Sequence, residues 1–247
     1  MSSKVAFITG SAKRIGACVA EHLHRLGFNL VLHCNQSLTS AKILQEKLNY
    51  ARADSAALVT GDLCEMSQLE EIANQAIEAF GRLDVLINNA SAFYPTPIGA
   101  VQQADWHVLM GSNTQAPLFL SQLCQKQLKQ NQGVIINMVD IHAERPLKDH
   151  TLYCMAKAAL ATMTQSLAQE LAPEVRVNGV SPGAILWPET PLTESQQQEV
   201  LSEIPAARLG SPQDIADTIA FLIKASYITG QIIAVDGGRS IASGSVA

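Results

Sequence analysis

Short, continuously apolar runs alternate with longer amphipathic ones along the whole chain, and few folds accept that rhythm. The short runs are Lys4–Thr9, Asn29–His33, Ala56–Thr60, Val85–Asn88, Val134–Val139, Arg176–Val180 and Ile232–Val235. Between them lie amphipathic segments near 14–26, 39–51, 67–80, 102–130, 152–171 and 212–224. A strand that is apolar on both faces must be covered on both faces, which a parallel sheet with crossover helices achieves. The 247 residues fit one α/β domain, and a hydrophobic content of 47% against 16% charge is ample for its core. One stretch, Leu186 to Val200, is polar and Pro-containing and too irregular for core. It reads either as a lid over a site, near 186–203, or as a plain surface loop.

What surrounds the domain is constrained by charge and by cysteine. A net charge of −5 argues against a nucleic-acid or anionic-membrane partner. No apolar run approaches the ~20 residues of a transmembrane helix, and Met1-Ser2-Ser3-Lys4 leads into Val5-Ala6-Phe7-Ile8 without a signal-peptide pattern. Cys18, Cys34, Cys64, Cys124 and Cys154 are scattered, with no C-x-x-C pair. No metal centre or disulfide is expected, but buried free thiols in a reducing, cytoplasmic setting.

The first strand delivers Thr9-Gly10-Ser11-Ala12-Lys13-Arg14-Ile15-Gly16 at the start of a helix. Glycines let backbone amides approach phosphates, and a helix N-terminus favours their charge. Arg14 stands where the dinucleotide fingerprint has a middle glycine, exchanging flexibility for a guanidinium that can meet pyrophosphate or substrate. NAD sites of this type place an acid after the second strand to hold the ribose 2′-hydroxyl. Here the chain reads His33-Cys34-Asn35-Gln36-Ser37, with no carboxylate. With Lys13 and Arg14 in the adjacent loop, and with His33, Asn35, Gln36 and Ser37 offering polar contacts, a 2′-phosphate meets no repulsion. NADPH is expected over NADH. Asp62, followed by Leu63, either holds the adenine amino group or caps the next helix.

Tyr153 and Lys157 stand at i and i+4 and share one helix face. An ammonium beside a phenol lowers the phenol's pKa, and bringing a tyrosine from ~10 to neutrality needs roughly 4 kcal/mol. Asp140, ahead of this pair, is the unusual member. Ionised, a carboxylate only accepts hydrogen bonds; it would repel a developing alkoxide and raise the Tyr153 pKa against Lys157.

These motifs, with Asn88-Asn89-Ala90, Asn113, Ser181-Pro182-Gly183 and Thr229-Gly230…Asp236-Gly237-Gly238, resemble the short-chain dehydrogenase/reductase family across nearly the whole chain. The resemblance implies a single Rossmann-like, doubly wound domain over 1–247, with a seven-stranded parallel sheet and helices on both faces, in a homotetramer. It also implies a working set of Asn, Ser, Tyr and Lys. Asn113, Tyr153 and Lys157 match three of these, and Asp140 replaces the Ser. Within the family, the pteridine-reducing branch looks similar at these departures: it shares Arg14, Asp140 and a segment very like Asn88-Asn89-Ala90-Ser91-Ala92-Phe93-Tyr94-Pro95-Thr96-Pro97.

That resemblance implies a specific set of contacts. Phe93 sandwiches a pterin against the nicotinamide, Ser91 bonds to pterin and cofactor, and Arg14 reaches a phosphate and the substrate edge. Gly10, Lys13, Ile15, Asn89, Ala90, Tyr153, Lys157, Pro182 and Gly183 join the nucleotide contacts. The expected chemistry is hydride transfer from NADPH to a C=N carbon of a dihydropterin, giving the tetrahydro form. Candidates are 7,8-dihydrobiopterin, dihydromonapterin and dihydrofolate. Tyr153 is the proton donor, Lys157 tunes it and binds the nicotinamide ribose, and Asn113 holds a water. Asp140 is expected to be buried and to share a proton with Tyr153, so turnover should rise toward mildly acidic pH.

Two features depart from the branch: Gln36 stands where many members have Arg, and the lid has no recognisable match. Trp187 either closes over the substrate, anchors the loop or meets another subunit, and Trp106 is expected to be packing. Two rival readings are a reductase of another conjugated carbonyl or imine, such as a 3-oxoacyl thioester, and a non-catalytic NADP(H) sensor.

Overall fold

The computed structural model describes residues 3–187 and 192–242. Seven parallel strands form one sheet: β1 (Val5–Ile8), β2 (Asn29–Cys34), β3 (Ala56–Thr60), β4 (Val85–Asn88), β5 (Val134–Met138), β6 (Arg176–Pro182) and β7 (Ile232–Val235). Their spatial order is β3-β2-β1-β4-β5-β6-β7. The chain therefore winds outward in one direction from β1 and in the other from β4, and the crevice between them is where such sheets take ligands.

Strand alternation explains the two cores. Ala6, Ile8, Leu30, Leu32, Val85, Ile87, Val134 and Ile136 point to one face, against α1 (Arg14–Arg25), α2 (Leu38–Ala51) and α8 (Pro212–Lys224). Val5, Phe7, Val31, Leu86, Ile135 and Val177 point to the other. There they meet α3 (Met66–Glu78), α5 (Ala116–Gln130) and α6 (Thr151–Glu170). Period-two alternation with both sets apolar is what makes each strand read as an unbroken apolar run.

Two elements differ from the sequence expectation. The segment 102–130 is not one helix: α4 (Gln103–Met110) passes through a π-helical turn (Gly111–Gln115) into α5. Pro117 has no N–H for the carbonyl of residue 113, four positions back, and the wider turn accommodates the loss. The polar stretch after Leu186 contains α7 (Glu194–Ser202), started by Thr193, whose hydroxyl accepts the N–H of Gln196 at 3.3 Å while Gln196 Oε1 accepts the N–H of Thr193 at 2.9 Å. Reciprocal capping of this kind makes a polar helix with no buried residue stable at its start. The remainder of the anticipated lid, 188–191, lies outside the described residues, as does the tail beyond 242. Among the described residues, no helix is long and apolar enough to cross a membrane. The thiols are all free, but only Cys34, Cys124 and Cys154 are buried; Cys18, within α1, and Cys64, in the loop after β3, are half-buried.

Candidate active site

The predicted site residues sit at or just beyond the carboxyl ends of β1, β2, β3, β4, β5 and β6. The turn after β1 is held by its neighbours. Gly10 has φ +62°, and a Cβ there would lie 2.8 Å from Ala90 Cα; a Cβ on Gly16 would lie 2.5 Å from the Gly10 carbonyl. The Asn89 side chain donates to the carbonyls of Thr9 and Gly10 at 2.8 and 3.0 Å, and the Thr9 hydroxyl accepts the N–H of Asn89 and Ala90. Arg14 takes φ +53°, the conformation the expected glycine would have adopted. A left-handed residue bearing a long side chain stores of order 1 kcal/mol, so the guanidinium is kept at a local cost. It donates to the Trp187 carbonyl at 3.3 Å, tying the glycine turn to the segment after β6.

A cleft of about 630 Å³ lies over this turn. Gly10, Lys13, Arg14, Ile15, His33, Asn35, Gln36, Asp62, Leu63, Asn89, Ala90 and Ser91 line it. It suits a dinucleotide: backbone can approach closely at two glycines, α1 presents its N-terminus, and no carboxylate faces the cleft from the end of β2. Three expectations change here. Buried His33 is not a free phosphate ligand, because its Nδ1 accepts the Gly10 N–H at 3.2 Å and its Nε2 faces the Gly61 carbonyl at 3.1 Å. Those partners fix a neutral ring, and burial pushes its pKa down to about 4. Ser37, at the start of α2, is not among the lining residues. Asp62 does not cap α3, which begins after Glu65; its carboxylate accepts the Cys64 N–H at 2.9 Å, and the residue lines the cleft. Sequence reasoning missed Cys64, Glu65, His107, Val108 and Ser112, which close the far end of the cleft. Their contribution depends on α4 packing beside the loop after β3, for which no local pattern exists.

Beyond Arg14 and Ser91 the cleft continues into a pocket of about 320 Å³. Phe93, Asp140, Tyr153, Lys157, Pro182 and Gly183 line it, so the predicted catalytic and substrate residues converge, with Asn113 behind them. The Tyr153 hydroxyl donates to Asp140 Oδ2 at 2.7 Å. Burial first, and then the Asp140 carboxylate, hold the Tyr153 pKa well above the usual 10. The expected lowering by Lys157 is absent: its ammonium sits 5.6 Å from the ring centroid and donates to the Met138 carbonyl at 2.8 Å. Burial brings Lys157 down to about 8, against the pull of Asp140. Asp140 itself is half-buried rather than buried, because it stands at the wall of the pocket.

Asn113, fully buried in the π turn, donates to the carbonyls of Leu109 and Ala92 and accepts from the Ser91 hydroxyl at 2.7 Å. The side chain expected to hold a water is committed to fixing the Ser91–Ala92 loop. Phe93 is 55% exposed, stacked on His150 at 4.8 Å and edge-on to Tyr153 at 4.8 Å. His150 was invisible in the sequence as an aromatic neighbour of Phe93. Trp106 is 49% exposed and so is not internal packing.

A family model described as enoyl-(acyl carrier protein) reductase matches residues 10–240. The chain is 36% identical to pteridine reductase 1 of Leishmania tarentolae, over 97% of both chains. It is 34% identical to an uncharacterized oxidoreductase, YmfI, of Bacillus subtilis, over 96% of this chain and 98% of that one. It is 32% identical to the 3-oxoacyl-[acyl-carrier-protein] reductase FabG of Staphylococcus aureus, again over 96% and 98%.

Proposed function

The chain belongs to the short-chain dehydrogenase/reductase family and is an NAD(P)-dependent oxidoreductase, and from that premise we propose that it is an NADPH-dependent pteridine reductase. The observation that carries the reading is the 2.7 Å hydrogen bond from Tyr153 to Asp140 in a pocket walled by Phe93 and Arg14. A carboxylate at that position opposes charge building on a ketone oxygen but suits protonation of a ring nitrogen, which ends neutral. A flat heteroaromatic ring gains about 0.5–1.5 kcal/mol from a stacked aromatic beyond the area it buries, and Phe93, which lines the pocket, is 55% exposed. The 36% identity to a pteridine reductase supports the same reading.

In this reading the cofactor, held by the glycine turn, Lys13, Arg14, Asn35, Gln36, Asp62 and Lys157, supplies the hydride. The choice of NADPH rests on the carboxylate-free end of β2, and Gln36 in place of Arg makes the preference moderate. Tyr153 gives its proton to the substrate nitrogen. Asp140 holds that hydroxyl in position and replenishes its proton. Lys157 orients the ribose, and Asn113 holds Ser91 where it can reach both ligands. One functional unit spans 1–247, with the segment 186–203 as its lid, and it works in the cytoplasm as a homotetramer. Exposed Trp106, Leu118 and Met155, on α4, α5 and α6, support the assembly.

The test is NADPH oxidation with 7,8-dihydrobiopterin, dihydromonapterin and dihydrofolate, beside an acetoacetyl thioester. Turnover of a dihydropterin without thioester activity is expected. Thioester activity alone would replace this reading with a 3-oxoacyl reductase like the Staphylococcus relative.

A further inference from the structure

Asp140 belongs to two hollows. It lines the catalytic pocket, and it also lines a separate cavity of about 90 Å³ whose polar walls are Ser181, Glu144 and Ser240. Its two oxygens have different partners. Oδ2 takes the Tyr153 hydroxyl, while Oδ1 accepts the His142 N–H at 2.8 Å, in the turn whose Ile141 and Ala143 wall the cavity. Ser181, on β6, is 7% exposed, and its hydroxyl makes no hydrogen bond to another described residue. The hydroxyl is therefore open to water that enters the cavity. The volume exceeds the roughly 15 Å³ that a single water centre needs, and the walls are polar. Glu144 is exposed and stands where the cavity meets solvent.

We propose that this cavity is a water-filled proton inlet, in which water held by Ser181 feeds Asp140 from the side away from the substrate. The inference rests on Tyr153 being the proton donor of the proposed reaction, not on which pterin is reduced. One proton enters from bulk water at Glu144, passes through the held water to Asp140, and crosses to the Tyr153 oxygen as that oxygen gives its own proton to the substrate nitrogen. Two electrons arrive with the hydride of the reduced nicotinamide, so each turnover consumes one proton from solvent and leaves every side chain as it began. The charged and titratable groups facing Asp140 are Tyr153 and Lys157 from α6, Glu144 from the following turn and Arg14 across the pocket. Lys157 is tied to the Met138 carbonyl. The cavity gives the carboxylate an approach on the side away from a substrate in the pocket.

The experiment pairs Ser181→Val, which removes the hydroxyl and fills space, with Ser181→Thr, which keeps a hydroxyl. Ser181→Val is expected to lower kcat about tenfold while the dihydropterin KM stays within about twofold, and to enlarge the solvent deuterium effect on kcat. Ser181→Thr should restore both. Unchanged kcat and isotope effect in a folded Ser181→Val enzyme would overturn the inlet. Should that variant fail to fold, a high-resolution crystal structure of the native enzyme decides. A water bridging Ser181 Oγ and Asp140 is expected, and a dry or side-chain-filled cavity overturns the proposal. A native enzyme that reduces no dihydropterin would sink the proposed function, while the crystal structure would still judge the inlet on its own.

Discussion

Asp140 helps to hold the Tyr153 phenol high, and Lys157, buried beside them, has its own pKa brought down. Replacing Asp140 by Ser removes the acceptor at 2.7 Å and one of the causes that hold the phenol high. Asp140→Ser should cut dihydropterin turnover by about a hundredfold while leaving NADPH affinity, read by fluorescence titration, nearly unchanged. Equal loss of both would make Asp140 a structural residue. Lys157 gives a pH dependence of definite sign. Its folded pKa, about 8, lies below its ordinary 10.5, because burial disfavours the charged form. Raising the pH through 8 therefore removes the ammonium, and kcat/KM for the cofactor should fall on that limb. Lys157→Arg should push the limb beyond pH 10, which a pH profile reads directly. The sequence announced the Tyr153–Lys157 spacing but not this balance. Spacing shows that two residues share a face; the Met138 carbonyl that claims the ammonium comes from another strand.

At the scale of elements, the glycine turn is held by β2 and β4 rather than by its own sequence. Arg14 carries left-handed strain there, so Arg14→Gly should raise the unfolding free energy by about 1 kcal/mol in denaturant titration. It should also weaken both cofactor and substrate binding. His33 joins Gly10 to Gly61, and its ring must stay neutral to accept from Gly10. Its folded pKa, about 4, lies below the ordinary 6.5. The stability it supports is thus fully present above 6.5 and is lost as the pH falls toward 4, amounting to about 2 kcal/mol at pH 5. The difference in Tm between pH 7 and pH 5 should shrink in His33→Gln, and an unchanged difference would remove His33 as the cause. His33 was legible as a residue at the end of a strand. Its inward rotamer was not, because either face of β2 is apolar enough to bury a ring. The π turn was hidden for a related reason: helical periodicity continues on both sides of it, and only Pro117 hints at the break.

For the whole molecule, the alternation of apolar and amphipathic runs was enough to foretell seven parallel strands, because a sheet covered on both faces leaves its period in every strand. Oligomeric state has no such period, and the exposed apolar residues on α4, α5 and α6 became visible only once those helices were placed. Sedimentation should give a tetramer, and Trp106→Glu should dissociate it into smaller species with the far-ultraviolet circular dichroism preserved; a monomeric native chain would refute the assembly. The burial of Lys157 has a consequence on another plane. At neutral pH the protein holds a charge that its interior disfavours by about 3 kcal/mol. A variant library screened only for survival of heat would therefore collect apolar replacements at position 157. Its winners would be hardy proteins that no longer work, so any search for a sturdier enzyme must score turnover in the same round.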